Sequence, residues 1–135
     1  MRESGAFLLG SKTSSGTREA KDYLLYDDLE PGCLDAGFVK MTSVGFRALG
    51  REASARSLEV VADIHTHPEH AFFSGTDRDH PMVPVKGHLA LVVPDYALKG
   101  TDPERCAMFR FLGGNDWEDL ETKGRHSKVY VGFWS

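Results

Sequence analysis

Residues 58–68 read Leu-Glu-Val-Val-Ala-Asp-Ile-His-Thr-His-Pro, and after a short loop the chain continues Ser74-Gly75-Thr76-Asp77. The apolar run over 58–64 predicts a strand. Side chains two apart point to the same face of a strand, so His65 and His67 aim at one spot. Pro68 cannot donate to a sheet ladder; it ends the strand and releases the chain into a loop. Asp77, ten residues after His67, supplies a carboxylate. Two imidazoles and one carboxylate, with a fourth position open to water, form the donor set of a catalytic zinc site rather than a closed structural one. The plainer reading, with one histidine in the core and the other in solvent, is the weaker one for this spacing.

Asp77 also has a local role. Ser74-x-x-Asp77 has the form of a capping box with Asp in place of the usual Glu or Gln. Cap and metal ligand need not compete, since a short helix can fix the direction in which Asp77 points. Ser74 is either an N-cap or a hydroxyl donor to the oxyanion of a scissile carbonyl, and spacing does not separate the two. A zinc hydrolase needs a carboxylate to relay the proton of its water. Spacing singles out no one carboxylate: Glu3, Glu19, Glu52, Glu59 and Glu69 are all candidates.

The chain has 135 residues, 41% hydrophobic and 27% charged, enough for one globular domain with a core. Its net charge of −4 argues against a nucleic-acid-binding surface. No apolar run approaches the roughly 18–20 residues of a membrane span, and no secretory signal opens the chain. These features give an expectation of a cytoplasmic protein with no nucleic-acid or membrane partner. Cys33 and Cys106 form no Cys-x-x-Cys pair, so they read as buried, reduced thiols.

Along the chain, 5–10 reads as a short buried strand between glycines, and 11–17 as a loop or hairpin turn. Residues 23–26 and 38–41 read as short strands. The 43–56 stretch predicts a helix capped by Ser43, with Phe46, Leu49 and Ala53 at helical spacing. A short helix starts at 74–79. Strands are expected at 87–93, closed by Pro94, at 105–112, followed by a turn over 113–116, and at 128–134. Strands around one or two helices in a short chain point to a compact α/β or α+β domain spanning 1–135. His70 and His80 read as solvated loop residues, His88 as a structural strand residue, and His126 as part of a solvated loop. Trp117 and Trp134 read as packing residues.

His65-x-His67-Pro68 followed by Ser74-x-x-Asp77 resembles the JAMM motif of the MPN (JAB) metalloprotease family. Upstream, Glu3-Ser4-Gly5-Ala6-Phe7-Leu8-Leu9-Gly10 resembles that family's glutamate ahead of a glycine-bounded apolar strand. The stretches 74–82 and 87–94 look like the prokaryotic branch, some of whose members sit beside ubiquitin-like proteins. The resemblance implies a cytidine-deaminase-like mixed sheet flanked by helices. It also implies one zinc ion held by His65, His67 and Asp77, with Glu3 as base and then acid, and Ser74 as oxyanion donor. The reaction implied is hydrolysis of a peptide or isopeptide bond after the C-terminal tail of a ubiquitin-like protein. Ubiquitin-activating-like and conjugating-like enzymes are implied as further partners. Processing of a sulfur-carrier protein or small peptide is the alternative, as is a zinc-stabilised binding module without catalysis.

Two departures from the family pattern stand out. The loop 69–73 is one residue shorter than in the familiar eukaryotic deubiquitinases, which reshapes the substrate groove. Family members usually place a strand and a helix before the glutamate, here residue 3, so the resemblance implies a domain with that N-terminal helix and strand absent. A frayed Glu3 would leave zinc bound and catalysis weak.

Overall fold

A computed structural model describes residues 3–36, 38–100 and 102–129. The chain divides into two compact units, Met1–His65 and Thr66–Ser135. The first unit contains β1 (Gly5–Lys12), β2 (Arg18–Leu25), α1 (Tyr26–Leu29), α2 (Ser43–Ala55) and all but the last residue of β3 (Glu59–Thr66). Strand β1 lies between β2 and β3 and is antiparallel to both. Ala6, Phe7 and Leu9 are all buried, so β1 is covered on both faces. A strand covered in this way carries a near-continuous apolar run instead of an alternating one. That run is what makes it legible in the sequence.

The glycines that bound the run have a steric cause. A Cβ on Gly5 would overlap the Tyr26 ring and stand 2.5 Å from the Ile64 carbonyl oxygen. One on Gly10 would overlap the Glu19 carbonyl oxygen. Tyr26 is fully buried, edge-on to Phe7 at 5.0 Å. It sits in the space that Gly5 leaves, beside the pairing of Gly5 with His65.

Several expectations are corrected in this unit. β2 begins at Arg18, five residues before the start expected at 23, because its outer residues are polar and mostly exposed and carry no apolar alternation. Tyr26 opens the helical turn α1 instead of ending a strand. No strand forms over 38–41; Phe38 is about half exposed there, and Lys40 N–H donates to the Cys33 carbonyl. The cap of α2 is Thr42, not Ser43: Thr42 Oγ1 accepts from Val44 N–H at 3.2 Å. Glu30 in turn accepts from the Thr42 hydroxyl and, at 2.7 Å, from its N–H. The Thr42 hydroxyl, followed by its N–H, holds the Glu30 carboxyl below the usual carboxylate range. Leu49 and Ala53 are buried as their spacing implies, whereas Phe46 stays partly exposed against Phe7.

The second unit contains α3 (Gly75–Asp79), β4 (Leu89–Val93), β5 (Ala107–Gly113) and β6 (Asp116–Leu120). β5 pairs antiparallel with β4 on one side and β6 on the other. Its core gathers Val92, Met108, Phe109 and Phe111. Phe73 stacks on Phe109 at 4.3 Å, and Trp117 packs edge-on to Phe73 at 4.5 Å. Strand β6 has no counterpart among the sequence expectations. Its residues Asp-Trp-Glu-Asp-Leu are mostly polar, and it is held by pairing to β5 across a turn in which Gly113 and Gly114 take positive φ. β4 starts two residues later than expected, and His88 is buried just ahead of it instead of within it. His70, His80 and His126 are exposed. Cys33 and Cys106 are buried thiols. Residues 128 and 129 form no strand; the rest of the strand expected over 128–134, with Trp134, lies outside the described residues. Among the described residues no helix is long and apolar enough to cross a membrane.

The two kinds of glycine give opposite expectations. Gly5→Ala inserts a methyl group where there is no room and is expected to lower unfolding free energy by about 1–3 kcal/mol. Gly50→Ala, inside α2 with nothing within 4 Å, is expected to raise it by roughly 0.5–1 kcal/mol. Urea unfolding of the two variants checks both signs.

Candidate metal centre

The histidine strand stays extended past its last ladder residue. Beyond Thr66, the end of β3, His67 N–H donates to the Val93 carbonyl at 2.9 Å. Tyr96 N–H donates to the His67 carbonyl at 2.8 Å. Extension through residue 67 keeps the two-residue alternation, so His65 and His67 share a face. Both are buried, at 8% and 3% exposure. An imidazole so withdrawn from water requires polar partners.

Asp77 reaches this place from α3. Ser74 Oγ accepts from Asp77 N–H at 3.1 Å, and Asp77 Oδ2 accepts from Ser74 N–H at 2.9 Å, the reciprocal pair of a capping box. The Ser74 hydroxyl also donates to Asp77 Oδ2 at 2.9 Å. The same Oδ2 stands 3.2 Å from His67 Nε2. The cap therefore sets the carboxylate's direction, and that direction is towards the histidine.

One ligand atom from each of His65, His67 and Asp77 lies within 4.8 Å of the others. Tetrahedral zinc with bonds of about 2.0–2.1 Å needs neighbouring donors roughly 3.3 Å apart. The His67–Asp77 edge already has that length, and the remaining donors need to draw in by roughly 1–2 Å at most. Two imidazoles and a carboxylate, partly shielded from water, are a donor set that fits a divalent cation of zinc size.

The other carboxylates are placed differently. Glu59 lies opposite Gly10, at the far end of β3 from His65, and pairs with Lys12 at 3.3 Å. Glu52 pairs with Arg56 on α2. Glu19 and Glu69 are exposed. Glu3 is half-buried and lies two residues beyond the Gly5–His65 pair, at the histidine end of the ladder.

Two residues near the histidines were absent from the sequence expectations. Asp63 is 2% exposed; its Oδ2 accepts from Tyr26 Oη at 3.1 Å and stands 3.8 Å from His65 Nδ1. A carboxylate that accepts from a ligating imidazole fixes the ring's orientation and raises its basicity, and Asp63 stands less than about 1 Å outside that contact. The available signal was an acid inside an apolar strand, two residues before a histidine and so on the same face. Phe72 lies edge-on to the His67 ring at 5.0 Å and is half exposed.

Residues 1–109, which include every residue of this centre, match the profile of the prokaryotic homologs of the JAB domain. The chain belongs to that family. Among curated proteins it is similar to the probable metalloprotease y4jG of Sinorhizobium fredii (strain NBRC 101917 / NGR234), with 34% identity over 67 residues. That match covers 50% of this chain and 41% of the relative, so it spans less than half of the relative's length. Two solution structures share the fold. A protein of Desulfitobacterium hafniense, DSY2949, superposes with a TM-score of 0.64 at 14% identity, covering 89% of this chain and 76% of that one. A protein of Salinibacter ruber (strain DSM 13855) gives 0.57 at 19% identity, covering 98% and 83%. These two structures, with the strands and helices described above, bear out the α+β fold expected from the sequence.

Asp63→Ala is expected to weaken divalent-metal binding about 10-fold, since it removes the buried carboxylate beside His65. Tyr26→Phe keeps Asp63 in place and is expected to have the smaller effect. Zinc titration against a chromophoric chelator orders the two; equal affinity of Asp63→Ala and the unsubstituted protein would contradict this role.

Proposed function

We propose that this chain is a zinc metallopeptidase of the JAMM type that cleaves the peptide or isopeptide bond after the C-terminal tail of a ubiquitin-like protein. We take residues 1–135 to act as one catalytic domain. The observation that supports the reading most is the convergence of His65, His67 and Asp77, three donors of a catalytic set, in a JAB-family chain. Zinc bound there supplies Lewis acidity and lowers the pKa of water to about 7.

The protein's own residues carry the rest of the proposed mechanism. His65 and His67 hold the ion as neutral donors, with Asp63 behind His65 keeping its ring in place. Asp77 contributes the anionic ligand and is held by its cap. Glu3 takes the proton of the attacking water on its carboxylate and returns it to the leaving amine. Ser74, whose hydroxyl donates to Asp77 in the present arrangement, turns that proton towards the substrate oxyanion; such a donor is worth about 2.7–4 kcal/mol. Half-exposed Phe72 is available to the substrate beside His67.

The test is cleavage of a ubiquitin-like protein fused through its tail to a fluorescent reporter, with zinc-loaded protein and with chelator. Chelator-sensitive release at the tail junction is expected. Glu3→Gln is expected to lower turnover at least about 10²-fold while retaining zinc. Full activity of Glu3→Gln would overturn the assignment of the base, and cleavage unaffected by chelator would overturn the zinc chemistry. A short free peptide cleaved as fast as the folded fusion would move the substrate class to peptides.

A further inference from the structure

Three consecutive residues that are not glycine, Asp95, Tyr96 and Ala97, have φ of 55°, 50° and 63°. A side chain in this left-handed region crowds the following carbonyl, and such residues normally occur singly. A run of three persists only where surrounding contacts over-determine it, and strain of this kind concentrates at functional sites. The run directly follows Pro94 at the end of β4 and closes into a short 3-10 turn.

The turn's main chain grips the segment that carries His67. The Val93 carbonyl accepts from His67 N–H, Tyr96 N–H donates to the His67 carbonyl, and Asp95 N–H donates to the Glu69 carbonyl at 3.1 Å. Both main-chain polar groups of His67 are therefore tied to residues 93–96. The left-handed path lets the N–H of Asp95 and that of Tyr96 turn back towards this segment. The turn is fastened from outside by charge. Arg105 Nη2 donates to Asp95 Oδ2 at 2.8 Å, Arg105 Nη1 donates to the Lys99 carbonyl at 2.7 Å, and Lys99 Nζ stands 3.4 Å from the same Oδ2. A planar guanidinium spanning a carboxylate and a carbonyl fixes direction as well as distance.

We infer that Asp95 and Arg105 are positioning residues for the metal centre: their ion pair locks the left-handed turn whose main chain holds His67 in its ligating orientation. This rests on the metal reading of His67. Neither residue touches the donors, so their effect on the metal travels through the backbone of His67.

The test uses the full chain with Arg105→Ala and Asp95→Asn. Asparagine tolerates the left-handed backbone well, so the second variant keeps the turn's residue preference while removing its charge. Zinc affinity is read by chelator competition. Amide exchange of His67 in the metal-free protein is read by NMR beside that of Leu9 in β1. Arg105→Ala is expected to weaken zinc about 10-fold and to speed His67 exchange about 10-fold, with Leu9 unchanged. Asp95→Asn is expected to shift both in the same direction by about 3-fold. Unsubstituted values of both quantities in both variants would overturn the inference, as would a loss of global stability with zinc affinity intact. Faster His67 exchange in a protein that binds no zinc would sink the metal reading and leave the clamp standing.

Discussion

Everything at the candidate centre depends on the main chain staying extended from Asp63 to His67. Extension places residues 63, 65 and 67 on one face, and each is buried there. A bulge or turn anywhere in that segment would send one imidazole to the opposite side. The chain secures the segment from two directions. Gly5, which cannot carry a side chain without striking Tyr26 and the Ile64 carbonyl, lets β1 pair with His65 at close range. Past the end of β3, the Val93 carbonyl and Tyr96 N–H take over at His67.

The second dependence is on Ser74 and Asp77. One carboxylate closes a helix cap and faces a histidine through the same oxygen. A bound cation would therefore not need to order Asp77, because the cap has already removed most of its freedom. Ordering a long side chain at the moment of binding is a cost that weakens many surface carboxylate sites. Here a five-residue helix with no buried residue of its own turns one carboxylate towards a histidine. The sequence implied that cap and ligand need not compete at Asp77, and in the structure the oxygen that accepts from Ser74 N–H is the one that faces His67.

Much of this was legible because it rests on local rules. His-x-His on an apolar strand, the Ser-x-x-Asp cap, the buried β1 between its glycines and the spacing of Leu49 and Ala53 all follow from periodicity and backbone geometry. β2 and β6 were partly or wholly missed for one physical reason: outer strands are held by backbone pairing, and their polar side chains show no pattern. Thr42 displaced Ser43 as a cap because Glu30, distant in sequence, accepts from its hydroxyl and its N–H. The stretch 38–41 has apolar residues but enters none of the described strand ladders. Asp63 and Tyr26 are 37 residues apart, and no spacing rule brings them together. The left-handed turn at 95–97 has no glycine to announce it, so only its surroundings explain it.

The central claim is that His65 and His67, and no other histidines, join Asp77 around one metal ion. It is tested most directly by following the side-chain imidazole nitrogens of all six histidines by NMR during a zinc titration of the full chain. Saturation at one equivalent, with large shifts confined to His65 and His67, is the expected result. Shifts at His70, His80 or His126 instead, or none at any histidine up to several equivalents, would contradict it.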